Sequence, residues 1–132
     1  MMKVTIDTNI IVSAALSPLG KSAQIMNMVF DRKARVYYNA EILAEYEDVL
    51  SRPRFNFSTE KQNTFIEGIK RVGVLIEPTV SSMPLPDETD RIFYDTAKES
   101  GALLITGNIK HYPHEEFVMT PANFLMLLDN ES

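Results

Sequence analysis

Met2-Lys3-Val4-Thr5-Ile6-Asp7-Thr8-Asn9 alternates apolar and polar residues and then meets a carboxylate. Val4 and Ile6, with polar neighbours between them, have the period of a short buried strand. Asp7 stands where that strand ends. In open α/β sheets the chemistry gathers just beyond the carboxyl ends of parallel strands, so Asp7 is the first candidate site residue. The competing reading is structural, because an aspartate before a helix commonly caps it.

Working outward, strand-like and helix-like segments alternate. Residues 9–16 read as a helix stopped near Ser17-Pro18-Leu19-Gly20. Residues 22–32 carry Ile25, Met28 and Val29 at helical spacing, and 35–38 are β-rich. Asn39 is a suitable N-cap for a helix to about Ser51, which Arg52-Pro53 ends. Ser58 or Thr59 opens a further helix with Phe65, Ile66, Ile69 and Val72, followed by a strand over 74–76 and a Pro/Ser-rich connection over 78–86. Residues 87–99 are predicted helical, closed by Gly101. The continuous apolar run 102–105 has the character of a central parallel strand. A last strand is predicted over 116–119. Thr120-Pro121 then caps a helix containing residues 124–128. This order, with no internal repeat and no domain boundary, predicts one domain over residues 1–132. Its expected architecture is a three-layer α/β/α sandwich around a central, mainly parallel sheet.

The chain has 132 residues, of which 45% are apolar, enough for the core of one domain. The absence of cysteine excludes disulfides, thiolate metal sites and cysteine catalysis. With His111 and His114 as the two histidines, a histidine-rich zinc site is disfavoured, and a metal would be held by oxygen, which favours Mg2+ or Mn2+. No apolar run is long enough to span a bilayer. Residues 10–16 are apolar enough for a signal-peptide core, but Asp7 and Asn9 interrupt its approach, so a cytoplasmic protein without a membrane partner is expected. A net charge of -5 argues against a generic polyanion binder. The charge is uneven: residues 1–59 hold seven basic and six acidic side chains, and residues 60–132 hold six basic and twelve acidic. A locally basic rim beside an acidic centre suits a metal-dependent nuclease, although an ordinary mixed surface accounts for the counts equally well.

Three further features join Asp7. Glu45 lies at the edge of the stripe Ile42, Leu43, Tyr46, Val49 and Leu50, where a carboxylate reaches either a cleft or solvent. Asp90 aligns with Phe93 and Ala97 on the inward side of its helix, and with Asp87 it also resembles a capping pair. Asp95, four residues after Arg91, reads as half of a surface ion pair. Thr106-Gly107-Asn108 follows the apolar run 102–105 and so occupies the same kind of place as Asp7; Gly107 permits a close backbone approach, and the bland reading is a Gly-Asn turn. Crowded carboxylates repel one another and hold protons. A divalent cation relieves this, lowers the pKa of a bound water and neutralises charge on a phosphate.

These residues also carry a resemblance. Ile6-Asp7-Thr8-Asn9, the run from Glu41 to Pro53, the run from Asp87 to Tyr94, and Leu104-Ile105-Thr106-Gly107-Asn108-Ile109-Lys110-His111 together resemble the PIN-domain family, in the bacterial branch of toxins from toxin–antitoxin systems. The resemblance covers nearly the whole chain. It implies a metal-dependent ribonuclease, with Mg2+ or Mn2+ as cofactor, RNA as substrate and a small antitoxin protein as partner; the oligomeric state, a homo-oligomer included, stays open. Carried over by position, Asp7, Glu45 and Asp90 match acidic metal ligands and catalytic residues. Asn9 matches a residue that steadies the first aspartate, and Thr106 the hydroxyl residue before the last motif position. Asn108 departs from the aspartate that many relatives have; as a ligand it brings no charge, and Asp87 is slightly preferred over Asp95 as the source of the missing one. Arg52, Arg54, Lys110 and His111 are candidate RNA contacts.

Two other readings stand beside this one. Without a carboxylate at 108, the domain would bind RNA or a protein without cutting. A phosphotransfer domain built on Asp7 would need a lysine at a strand end, and Lys110 is off that position.

Overall fold

The structure, a computed structural model, describes residues 1–131. Five strands form one sheet in the order β3-β2-β1-β4-β5, every neighbouring pair parallel. They are β1 (Met2–Ile6), β2 (Ala34–Tyr38), β3 (Val74–Leu75), β4 (Leu103–Ile105) and β5 (Val118–Met119). The helices are α1 (Thr8–Leu16), α2 (Lys21–Phe30), α3 (Ala40–Leu50), α4 (Thr59–Val72), α5 (Arg91–Ser100) and α6 (Pro121–Glu131). This is the expected α/β/α sandwich.

The strand order explains where a site can form. From β1 the chain moves outward to β2 and β3, then returns to place β4 on the other side of β1. Connections therefore diverge between β1 and β4, which opens a crevice at their carboxyl ends. The register pairs Val4 with Leu103, Thr5 with Leu104 and Ile6 with Ile105. One residue further, the Asp7 amide still donates to the Ile105 carbonyl at 3.0 Å. Asp7 and Thr106 are thus the first residues past two adjacent strands.

The core beneath this crevice is continuous. Val4, Ile6, Val36, Leu104 and Ile105 are buried on the sheet, and Ile11, Ile25, Ile42, Tyr46, Ile69 and Phe93 are buried on the helices. Ser58, rather than Thr59, caps α4 by accepting from the Lys61 amide. Gly101 closes α5 in the left-handed region at φ 69, where glycine has no Cβ penalty. The segment predicted as one helix over 87–99 divides: a 3-10 turn, Glu88–Asp90, precedes α5. The Asp87 carboxylate causes this break by accepting from both the amide and the hydroxyl of Thr89.

Asn39 does two jobs. Its Oδ1 accepts from the Ile42 amide at 3.0 Å, capping α3, while its Nδ2 donates to Thr96 Oγ1 on α5 at 2.9 Å. Both residues are fully buried, so no water replaces a lost partner. Asn39→Ala is expected to lower unfolding stability by about 2–4 kcal/mol, a lost cap plus an unsatisfied hydroxyl, read as a shift in the urea midpoint. A loss below about 0.5 kcal/mol would show that the surroundings satisfy both groups.

Candidate active site

Asp7 occupies the N-cap position of α1, yet its side chain makes no capping hydrogen bond. The structural reading of this aspartate therefore fails, and its carboxylate turns elsewhere. Thr106 Oγ1 donates to Asp7 Oδ2 at 2.8 Å, and Tyr112 Oη donates to the same oxygen at 2.9 Å. Thr106 in turn accepts from the Asn108 amide at 3.1 Å and from Asn9 Nδ2 at 3.5 Å. Asn9 Oδ1 accepts from the Gly107 amide at 3.0 Å. Asn9 thus steadies Asp7 through Thr106 and the turn, not by touching it.

Glu45 projects from α3, half-buried, and its Oε2 accepts a short hydrogen bond from Thr8 Oγ1. Burial raises its pKa, opposed by Thr8, and the nearby Asp7 charge raises it further. Asp90 ends the turn before α5. Its Oδ2 is buried without a hydrogen-bond partner; the nearest cation-forming group is His111 Nδ1 at 3.6 Å. Burial, then the charges of Asp7 and Asp87, push the Asp90 carboxyl up to about 6. The three carboxylates predicted from sequence are therefore electrostatic neighbours around one crevice.

The remaining predicted residues lie around them. Asp87 is exposed and committed to Thr89, yet its charge is felt at Asp90. Asn108 is exposed, with Nδ2 2.9 Å from His111 Nε2. Lys110 is exposed on the same turn. Arg52 pairs with Asp48 at 3.1 Å on the surface, and the Arg54 guanidinium lies over the Phe55 ring at 4.8 Å. Asp95 requires a correction. It is buried rather than on the surface, and its Oδ2 accepts from the Ser81 amide at 3.0 Å. Arg91 instead grips Glu88 in a two-pronged pair, and the Ser81 and Met83 carbonyls. Backbone amides and carbonyls of the 81–83 connection outcompete the i,i+4 pair because they are fixed in place.

Sequence reasoning missed Tyr112, Tyr46 and the role of Thr8. Tyr46 is fully buried and donates to the Ile6 carbonyl, holding the end of β1 against α3. Burial first, and the Asp7 charge second, raise the phenol pKa values of Tyr46 and Tyr112 far above the ordinary range. Both remain permanent donors. The only signal for Tyr112 was its place after the Asn108–His111 turn.

Chemically, the donor set suits a hard divalent cation: carboxylate oxygens, one of them orphaned, whose mutual repulsion a cation would relieve. No three His, Asp or Glu side chains among the described residues are already gathered into an ion cage. Hydroxyls instead hold one oxygen each of Asp7 and Glu45, leaving the other oxygens and Asp90 Oδ2 for an ion.

Asp90 sets a pH signature. Its folded pKa, about 6, lies above the unfolded value of about 4, so the folded state binds the extra proton and stability falls as pH rises through that window. Asp90→Asn is expected to stabilise the metal-free protein by about 1–3 kcal/mol at pH 7.5, with the gain fading by pH 4. Urea unfolding in EDTA at both pH values checks this; an equal gain at both would remove charge crowding as the cause.

The PIN domain family matches residues 3–110. An uncharacterized protein of Methanocaldococcus jannaschii is 31% identical over 110 residues, covering 81% of this chain and 71% of that protein. The fold is similar to a chain in the crystal structure of VapBC2 from Rickettsia felis bound to a DNA fragment from their promoter, with a TM-score of 0.59 at 15% identity, over 90% of this chain and 97% of that one. The extent of the family match, across β1 to the turn after β4, shows that the chain belongs to the PIN domain family.

Proposed function

We propose that this domain is a divalent-metal-dependent endoribonuclease, using Mg2+ or Mn2+, and the toxin half of a pair with a small antitoxin protein. PIN domains are generally nucleases and typically use divalent ions. The observation that carries the reading is the buried, unpartnered Asp90 Oδ2 in a crevice shared with Asp7 and Glu45. The fold likeness to VapBC2 supports the idea of a protein partner.

In this reading Asp7, Glu45 and Asp90 hold the metal, with Asn108 as a neutral fourth donor. A bound divalent ion would supply an activated water and charge neutralisation at the phosphate. The chain's own contribution is orientation. Thr106 and Tyr112 occupy Asp7 Oδ2 and so fix which oxygen faces the crevice. Thr8 does the same for Glu45. Lys110 and His111 are the proposed phosphate contacts, both exposed on the turn after β4.

A second reading, an RNA- or protein-binding module without cleavage, is favoured by one observation: Asn108 adds no charge to the cluster. Two measurements separate them. Pure protein with Mn2+ or Mg2+ is expected to cleave RNA, and Asp7→Asn to lower the rate by at least about 100-fold, as loss of a metal ligand does. Equal cleavage by the variant would identify a contaminating nuclease. Calorimetric titration is expected to show divalent-ion binding in the millimolar range or tighter; no binding would favour the non-cleaving module.

A further inference from the structure

An open groove of about 500 Å³ runs away from the acidic crevice between α1 and the end of α3. Thr8, Asn9 and Glu45 line its inner end, so it is continuous with the candidate site. Its outer part changes character. Val12 and Leu16 from α1 face Val49 and Phe55, with Arg52 and Arg54 on the rim. Positions 8, 12 and 16 recur at one helical face, as do 45 and 49 on α3. The chemistry therefore grades from carboxylate to apolar to cationic along the groove.

Phe55 is the distinctive element. It ends the 3-10 turn Pro53–Phe55 and stacks nearly parallel on Phe57, with centroids 5.5 Å apart and an interplanar angle of 11°. The turn is completed by Asn56 in the left-handed region at φ 52, a conformation that asparagine tolerates well. The Arg54 guanidinium rests over the Phe55 ring. A guanidinium layered on an aromatic ring is a stacking platform for nucleobases, here with the exposed Arg54 plane over Phe55 and Phe57 supporting the ring. The Arg52 pair with Asp48 is solvent-exposed and weak enough to yield to a phosphate.

We propose that this groove is a subsite for one unpaired nucleotide of a single-stranded RNA, its base stacked on the Phe55–Arg54 platform and its phosphate held by Arg52, at the end of the groove away from the acidic crevice. The assignment rests on the nuclease reading for its role in turnover, but not for binding. It commits to single strands because bases in an A-form duplex are already stacked on one another, and a side-chain platform reaches only bases that have been freed. An apolar protein segment would use the floor but make no use of the charge of the two rim arginines.

The chain contains no tryptophan, so Phe55→Trp creates a single fluorescent reporter on the platform. In EDTA, where no metal-dependent cleavage occurs, a short single-stranded oligoribonucleotide is expected to quench this tryptophan, and a blunt duplex of the same sequence is not. By anisotropy of a labelled strand, Phe55→Ala is expected to weaken binding by about 5- to 100-fold, and Arg54→Gln to weaken it without altering thermal stability. Equal quenching by duplex, unchanged binding of both variants, or quenching by an amphipathic Leu/Glu/Lys helical peptide but not by RNA would each overturn the assignment. Quenching without any Mn2+-dependent cleavage would retain the subsite and defeat the nuclease reading. Cleavage with no quenching and unchanged KM in Phe55→Ala would do the reverse.

Discussion

Everything at the candidate site depends on the parallel pairing of β1 with β4. Because Ile6 lies opposite Ile105, the chain leaves both strands at the same level, and Asp7 meets Thr106 across a few ångströms. A one-residue slip of either strand would put its side chains on the opposite face from their present partners and part Asp7 from Thr106. Burial of these two isoleucines, each with no exposed surface, therefore also fixes the hydrogen bond between residues 99 positions apart. Tyr46 adds a second lock by tying the last carbonyl of β1 to α3, so that Glu45, its neighbour on the helix, is delivered to the same crevice.

The cost of this convergence is electrostatic. The Asp7 charge raises the pKa of both Glu45 and Asp90, the Glu45 charge also raises that of Asp90, and Asp90 is the member with no hydrogen bond to offset it. The fold tolerates the repulsion because the 81–83 connection and α5 are clamped together. Arg91 holds the Ser81 and Met83 carbonyls while Asp95 holds the Ser81 amide. With that clamp, the turn bearing Asp90 has little freedom to swing its carboxylate into solvent. Charge repulsion of this kind, concentrated at a crevice and supported from behind, is the pattern that makes a carboxylate cluster a candidate functional site.

Much of this was legible in the sequence because local patterns and the strand-end rule act together. The apolar runs of β1 and β4, the Asn39 cap and the stripe on α3 are local features, and they placed the strand order's ingredients and the positions of Asp7, Glu45 and Asp90. What escaped was long-range and polar. Tyr112 reaches Asp7 across 105 positions, and its place after the Asn108–His111 turn does not by itself specify that contact. Asp95 looked like a surface partner for Arg91 because i,i+4 spacing is a helix property, while the competing Ser81 and Met83 groups belong to a loop whose path no periodicity encodes. The division of the predicted 87–99 helix followed from the Asp87–Thr89 contact, a choice between two capping positions that the sequence pattern leaves degenerate.

Asn108 can be understood in the same electrostatic terms. Its Nδ2 lies 2.9 Å from His111 Nε2, and the other ring nitrogen, Nδ1, faces Asp90 Oδ2 at 3.6 Å. An aspartate at this position would accept from the imidazole instead. It would also add another negative charge to a centre where one carboxyl is already pushed up to about 6. The amide therefore engages His111 without bringing a further charge to the orphaned oxygen. Binding of a cation would rest correspondingly more on Asp7 and Asp90, the two carboxylates whose supports, Thr106 and Tyr112 for one and the α5 clamp for the other, are the most firmly built.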